Sequence, residues 1–262
     1  MSSSSLSRVL ITGGSGGIGF ELAKQYASNG HSLLLVARSK QKLENARQDL
    51  EKMYSVHVDV LAADLSAEQG VDQVIEWVAT EKFVVETLIN NAGFGDLGEL
   101  IQADWSKLND MISLNISCLT RLSQIFAGEM KKRGRGEILN LGSMAGFLPG
   151  PYMAVYFATK AYVASFSVAL AEELRPFGVH VGVLCPSSTK TEFASRADAQ
   201  NSPLFAQEKL ASADQVAQAA YQGMKQRRVV IFPSLRLQTL AWFARTLPLP
   251  VAARITKRSQ ET

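Results

Sequence analysis

Short apolar runs alternate with longer stretches of helical period along most of the chain. Residues 8–12 (RVLIT) form the first run; it stops at glycines, and a helix-like stretch follows to Ser28, ended by Asn29-Gly30. Residues 31–37 contain LLLVA, a continuous apolar run of the kind found in strands covered on both faces. A charged helical stretch over 39–53 comes next, followed by a strand over 55–63 and a helix over 66–81. Residues 84–90 (VVETLIN) read as the fourth strand, and 104–133 carry one long, interrupted helical pattern. Strands over 135–141 and 179–184 flank a helix over 153–175 that stops at Pro176, and 228–232 is the last strand. Parallel strands need crossover connections, so this order predicts an α/β fold, a doubly wound, seven-stranded parallel sheet with helices on both faces. No linker or repeat interrupts it. Residues 1–232 are expected to form one dinucleotide-binding, catalytic domain, and residues 233–262 an amphipathic tail packed on it or at an interface.

Composition narrows the class. With 47% hydrophobic residues, 19% charged and a mean hydropathy of +0.03, the chain reads as an ordinary globular protein. The net charge of +3, from 27 basic and 24 acidic residues, gives no basis for a nucleic-acid partner. Cys118 and Cys185 lie far apart in apolar runs and read as buried free thiols rather than as a disulfide or metal site. Residues 1–7 are serine-rich, without the basic start and apolar run of a signal peptide. No run of roughly eighteen apolar residues stands out, so no spanning helix is expected and the location is expected to be cytoplasmic.

The first strand runs into Thr12-Gly13-Gly14-Ser15-Gly16-Gly17-Ile18-Gly19, with a helix directly behind. Glycines there allow a tight turn and let a pyrophosphate approach the backbone, while the helix start offers N–H groups and a favourable dipole. Gly14, Gly16 and Gly19 fit one glycine register; Gly13, Gly17 and Gly19 fit another, which is preferred here. An acidic residue at the end of the second strand would mark a free ribose 2′-hydroxyl, but the strand ends in Val36-Ala37-Arg38-Ser39. A cation in that place suits a 2′-phosphate, and the expected cofactor is therefore NADP(H).

Tyr156 and Lys160 stand four apart in a predicted helix, on one face. An ammonium beside a phenol favours phenolate, so the pair is expected to lower the tyrosine pKa and make it an acid–base group. Ser143 lies at the end of the fifth strand, where parallel sheets bind ligands. With Thr12 to Gly19, Asp64, Asn90-Asn91-Ala92-Gly93, Asn115 and Pro186, in order and at the usual spacings, the chain resembles the short-chain dehydrogenase/reductase family, whose fold is of the Rossmann type.

The resemblance implies roles. Tyr156 would exchange the proton with the substrate oxygen, Ser143 would hold that oxygen, Lys160 would lower the tyrosine pKa and bind the nicotinamide ribose, and Asn115 would anchor a water. Thr12, Gly13, Ser15, Gly16, Gly17, Ile18, Gly19, Arg38, Ser39, Asp64, Leu65, Asn91, Ala92, Gly93, Pro186, Thr189 and Thr191 would, with Tyr156 and Lys160, contact the cofactor. Asp64 taken alone could equally be a helix cap before Ser66. Where the family usually has glycine after that proline, this chain has Ser187, which puts the local backbone in question.

The expected substrate is a hydrophobic carbonyl or alcohol, because Phe94, Leu97, Phe147, Leu148, Tyr152, Met153, Phe193 and Phe205 fall beside the predicted crevice. The tail mixes Leu235, Leu237, Leu240, Trp242, Phe243, Leu247 and Leu249 with arginines, which allows peripheral membrane contact. Pro248 and Pro250 argue against one long helix there. Family resemblance implies a homodimer or homotetramer. Competing readings are a non-catalytic NADP(H)-binding sensor or scaffold of the same fold, and another reaction, such as epimerisation or dehydration, on this scaffold.

Overall fold

Residues 7–191, 193, 197 and 210–260 are described in the computed structural model. Seven strands form one parallel sheet: β1 Ser7–Thr12, β2 Leu33–Ala37, β3 Val58–Ala62, β4 Val84–Asn90, β5 Gly136–Leu141, β6 Val179–Leu184 and β7 Val230–Ile231. Their spatial order is β3-β2-β1-β4-β5-β6-β7. The strand order therefore reverses between β1 and β4, the place where open parallel sheets leave a crevice at their carboxyl ends.

The apolar runs in the sequence are continuous because both faces of the sheet are covered. Val9, Ile11, Leu33 and Leu35 face one core cluster, built with α1 (Gly17–Ala27), α2 (Lys40–Met53) and α7 (Ala213–Lys225). Leu10, Leu34 and Val36 face the other, built with α3 (Glu68–Thr80), α5 (Leu119–Arg133) and α6 (Ala154–Leu174). Each fully buried leucine contributes roughly 2 kcal/mol by removal from water, and alternation along a strand feeds both layers.

Some boundaries differ from the sequence reading, each for a local reason. The long helical pattern is α4 (Trp105–Ile112) continued by a π-helical turn, Ser113–Cys118, into α5. Gly134 ends α5 at a left-handed φ of 70°. The third helix starts at Glu68 rather than at residue 66, because Asp64 Oδ1 holds the Ser66 N–H and hydroxyl in a turn of its own. The last strand shrinks to two residues, since only Val230 and Ile231 find partners, on Val183 and Leu184. The tail is two helices, α8 (Leu235–Thr246) and α9 (Leu249–Gln260), separated at Pro248.

A buried polar chain links the neighbouring strands β4 and β5. Asn90 Nδ2 donates to Asn140 Oδ1 at 2.9 Å and to Ser123 Oγ at 3.0 Å, and Asn140 Nδ2 donates to Ser167 Oγ at 2.9 Å. It ties the ends of β4 and β5 to α5 and α6, beneath the crevice. By length and composition one helical run, Ala154–Phe177, is apolar enough to cross a membrane, where none was expected. In the fold its residues Val163, Ser167 and Ala171 are buried within the domain. Cys118 and Cys185 are both free and buried, and burial pushes each thiol up to about 12.

Candidate active site

The carboxyl ends of the strands open onto a crevice of about 590 Å³. Its wall includes Gly13, Ser15, Gly16, Gly17 and Ile18 from the glycine loop and Ala92 and Gly93 after β4. Gly13 and Gly17 hold φ of +67° and +55°, a region that favours glycine. A Cβ on Gly19 would lie 2.3 Å from the Gly13 carbonyl oxygen. The Gly13-Gly17-Gly19 register is therefore the one that the backbone requires. Gly16 caps α1 with no side-chain hydrogen bond, which leaves the helix start to face the crevice with its backbone.

Two residues expected to touch cofactor do not reach the wall. Gly19 is buried against the Gly13 carbonyl, and Thr12 is only 2% exposed. The Thr12 hydroxyl accepts the N–H groups of Asn91 and Ala92, each at 3.0 Å, and donates to the Ile89 carbonyl. Asn91 Nδ2 donates back to the Thr12 carbonyl at 2.8 Å. Thr12 thus fixes the β4 loop against the glycine loop from behind, while Asn91 both fixes it and lines the crevice.

At the far end Arg38, Ser39, Asp64 and Leu65 line the wall as expected, and Lys42 joins them. Ser39 Oγ caps α2 by accepting the Lys42 N–H at 3.3 Å, which sets Lys42 one turn beyond Arg38. Sequence reading missed Lys42 because its place in the wall depends on how α2 begins after Ser39, which the strand end alone does not encode. Burial works to raise the Asp64 pKa, but hydrogen bonds from Ser66 and the Arg38 charge outweigh it and hold the carboxyl below its ordinary range. The set of two cations, a hydroxyl and a glycine-lined helix start fits a dinucleotide that carries an extra phosphate.

Ser143, Tyr156 and Lys160 come together in the middle of the crevice. Ser143 Oγ accepts the Ala145 N–H at 3.1 Å as the cap of a short helical turn, and its hydroxyl hydrogen-bonds Tyr156. Lys160 is 5% exposed; its Nζ donates to the Leu141 carbonyl at 2.7 Å and lies 5.8 Å from the Tyr156 ring centre. The expected depression of the Tyr156 pKa is not found. Burial pushes the phenol up to about 12 against the Ser143 hydrogen bond, and burial also brings the Lys160 ammonium down to about 8. Helical spacing put the pair together, but desolvation dominates both groups.

Asn115 is 1% exposed and does not line the crevice. Its Nδ2 donates to the Phe94 carbonyl at 3.0 Å and to Thr159 Oγ1 at 3.1 Å, and its Oδ1 accepts the Phe94 N–H at 3.2 Å. The side chain is therefore a clamp between the loop after β4 and α6, set in the π-helical turn Ser113–Cys118.

Pro186, Ser187, Thr189 and Thr191 line the opposite wall, where Thr189 bridges to Ala211. Ser187 does not adopt a positive φ, so serine in place of glycine brings no backbone strain. The apolar end is formed by Phe94, Leu148, Met153 and Phe193; Leu114 and the Asp110 carboxylate, which sequence reading did not single out, also line the crevice. Leu97, Phe147 and Tyr152 do not line it: Leu97 packs in the cluster behind, Phe147 packs on Phe232, and Tyr152 sits at φ 64° under Lys257. Phe205 lies outside the described residues. Leu240, Ile255 and Thr256 of the tail complete this end of the wall, where no sequence signal placed them.

Residues 7–202 match the short chain dehydrogenase family. The chain is 36% identical over 183 residues to a very-long-chain 3-oxoacyl-CoA reductase of Meyerozyma guilliermondii, a match covering 66% of this chain and 53% of that one. Against the enzyme of the same name from Homo sapiens it is 31% identical over 193 residues, covering 71% and 60%. The chain thus spans about half the length of the curated relatives it matches. Among solved structures, a short-chain dehydrogenase from Sphingobium yanoikuyae in complex with NADPH has a TM-score of 0.83 at 35% identity, covering 91% of this chain and 93% of that one. A bulky-bulky ketone specific alcohol dehydrogenase from Comamonas testosteroni has a TM-score of 0.78 at 31% identity, covering 90% and 91%. Motifs, sheet order and these matches agree: the chain belongs to the short-chain dehydrogenase/reductase family.

Proposed function

We propose that the chain is an NADP(H)-dependent oxidoreductase that interconverts an apolar carbonyl compound and its alcohol, with Tyr156 as the proton donor in reduction and the acceptor in oxidation. The observation that carries this reading is the convergence of Ser143, Tyr156 and Lys160 on the same crevice as the glycine loop and Arg38. The glycine loop, Arg38, Ser39, Lys42 and Asn91 would hold NADP(H), which when bound would supply or accept the hydride.

The remaining chemistry belongs to the side chains. Ser143 Oγ accepts the Ala145 N–H, and its hydroxyl keeps one proton to donate, shared with Tyr156 until a substrate oxygen arrives. A carbonyl oxygen between Ser143 and Tyr156 meets two donors, which stabilise the charge that grows on it. Tyr156, with a pKa near 12, is fully protonated at neutral pH and ready to give its proton. As the phenol gives up its proton, the Lys160 ammonium stabilises the phenolate from the same helix face, and the Leu141 carbonyl keeps that ammonium in place. Asn115 holds the Phe94 loop and Thr159, so it positions rather than touches the reacting atoms.

The apolar end made by Phe94, Leu148, Met153 and Phe193 supports a substrate with a large hydrocarbon substituent. The names of the relatives, a long-chain 3-oxoacyl reductase and a bulky-ketone dehydrogenase, point the same way. NADPH in the Sphingobium relative supports the phosphorylated cofactor, although a relative from Burkholderia phymatum, 25% identical, holds NAD.

The test is absorbance of NADPH and NADH oxidation against ketones and aldehydes of increasing chain length. NADPH should be preferred, and kcat/KM should rise about fourfold per buried methylene until the apolar end is filled. NADPH binding without turnover across the panel would favour the sensor reading. Preference for NADH would remove the cofactor assignment.

A further inference from the structure

We propose that α8 and α9 form a docking face for an anionic lipid bilayer, beside the substrate end of the crevice. The first observation is an inverted burial pattern. Helix α8 buries Ala241 and Ala244, and α9 buries Ala252 and Thr256, so both rest on the domain through small residues. Their large apolar side chains point the other way: Leu235 is 79% exposed, Trp242 72%, Leu249 71% and Phe243 56%. A helix that serves only its own core turns those residues inward. Exposed apolar groups gathered in this way mark an interaction surface.

Charge chooses the occupant. Between Asp214 and Glu261 the sequence contains no acidic residue, while Arg236, Arg245, Arg254, Lys257 and Arg258 are all exposed on the same two helices. Two of these also steady the face on the domain: the Arg245 guanidinium lies 4.9 Å above the Phe147 ring, and Lys257 Nζ lies 5.8 Å from the Tyr152 ring centre. An indole and leucines among cations, without carboxylates, match the headgroup layer of an anionic membrane. A second copy of the chain fits poorly, because a two-fold interface would set this basic surface against itself.

Leu240 and Ile255 connect the face to the chemistry. Each is more than half exposed, and each also lines the crevice. A hydrophobic substrate dissolved in the bilayer would then reach the crevice past these two side chains, a consequence that rests on the function proposed above; the docking itself does not.

The test is sedimentation of the full chain with vesicles of phosphatidylcholine alone or mixed with phosphatidylglycerol. The protein should sediment with the mixed vesicles and bind neutral ones at least about tenfold more weakly, since each basic residue near an anionic surface strengthens binding roughly fivefold. Trp242→Ser with Phe243→Ser, and separately Arg236→Ala with Arg254→Ala, should each cut binding by about tenfold or more. Turnover of a small water-soluble ketone should be unchanged in both variants, as none of the four residues lines the crevice. An inactive wild type that still binds vesicles would count against the proposed function and support the docking. Binding that ignores lipid charge, or survives both double substitutions, overturns the proposal. So does a dimer in solution that Trp242→Ser with Phe243→Ser dissolves, since a second copy would then occupy this face.

Discussion

Replacing Lys160 with methionine separates what the lysine costs the fold from what it does for the chemistry. Its ammonium is 5% exposed and its pKa falls from 10.5 to about 8 through burial. The sign follows from proton counting. Below pH 8 the lysine is charged in both folded and unfolded chains, and the folded chain carries the full burial cost. Between about 8 and 10.5 the unfolded chain binds the extra proton, so wild-type stability gains as pH rises through this window. A shift of roughly two and a half units corresponds to about 3 kcal/mol, of which some 2 to 3 kcal/mol should appear between pH 7 and 10. Methionine has similar length and no charge, so Lys160→Met lacks this gain. Its constant effects, such as the lost hydrogen bond to Leu141, cancel when the difference between the two proteins is followed against pH. The assay is urea unfolding of both proteins at a series of pH values. Wild type should gain about 2 to 3 kcal/mol on the variant as pH rises. A constant difference would mean that Lys160 keeps its ordinary pKa in the fold, and the account of a desolvated lysine would be refuted.

Other residues give independent checks. The kcat/KM for reduction should be flat at low pH and fall as pH passes about 8, where Lys160 loses its proton; Lys160→Arg should move that fall to higher pH, as read from initial rates. Arg38→Ala with Lys42→Ala should weaken NADPH binding roughly 10- to 100-fold by titration calorimetry and leave NADH binding nearly unchanged, since a hydrogen bond to a charged group contributes about 1.5 to 3 kcal/mol. Asn140→Ala breaks hydrogen bonds to Asn90 and Ser167 inside the sheet and should cost about 2 to 3 kcal/mol in urea unfolding. Gly19→Ala should destabilise by roughly 1 to 3 kcal/mol, because the methyl would lie 2.3 Å from the Gly13 oxygen; Gly16→Ala, with nothing within 4 Å, should unfold like wild type in the same melts.

The sheet was legible because strands covered on both faces leave unbroken apolar runs, and 84–90 and 179–184 were read to the residue. The seventh strand was overread for the same reason: Phe232 extends the apolar run, but its partner is the Phe147 ring and not the sheet. Motif spacing located Ser143, Tyr156 and Lys160, since strand ends and one helix face are local properties of sequence. The direction of the tyrosine shift was not legible. Four-residue spacing reports proximity, whereas the pKa depends on burial, which packing of distant segments creates. Asn115 was found by position, but its clamping contacts were not legible, because its partners Phe94 and Thr159 come from other elements. The tail was hardest to place. Ile255 and Thr256 reach the crevice only after the chain returns from the far edge of the sheet, and alternation within the tail itself does not encode that return.

The most direct measurement of the central claim is NADPH oxidation with an accepted ketone by wild type and Tyr156→Phe, with NADPH binding and melting temperature measured on the same samples. The account predicts that the variant folds, binds NADPH as wild type does, and loses turnover by at least about a thousandfold, because the fold and the cofactor wall remain while the proton donor is gone. Substantial turnover by a folded, NADPH-binding Tyr156→Phe protein would contradict it and take the proton from some other group.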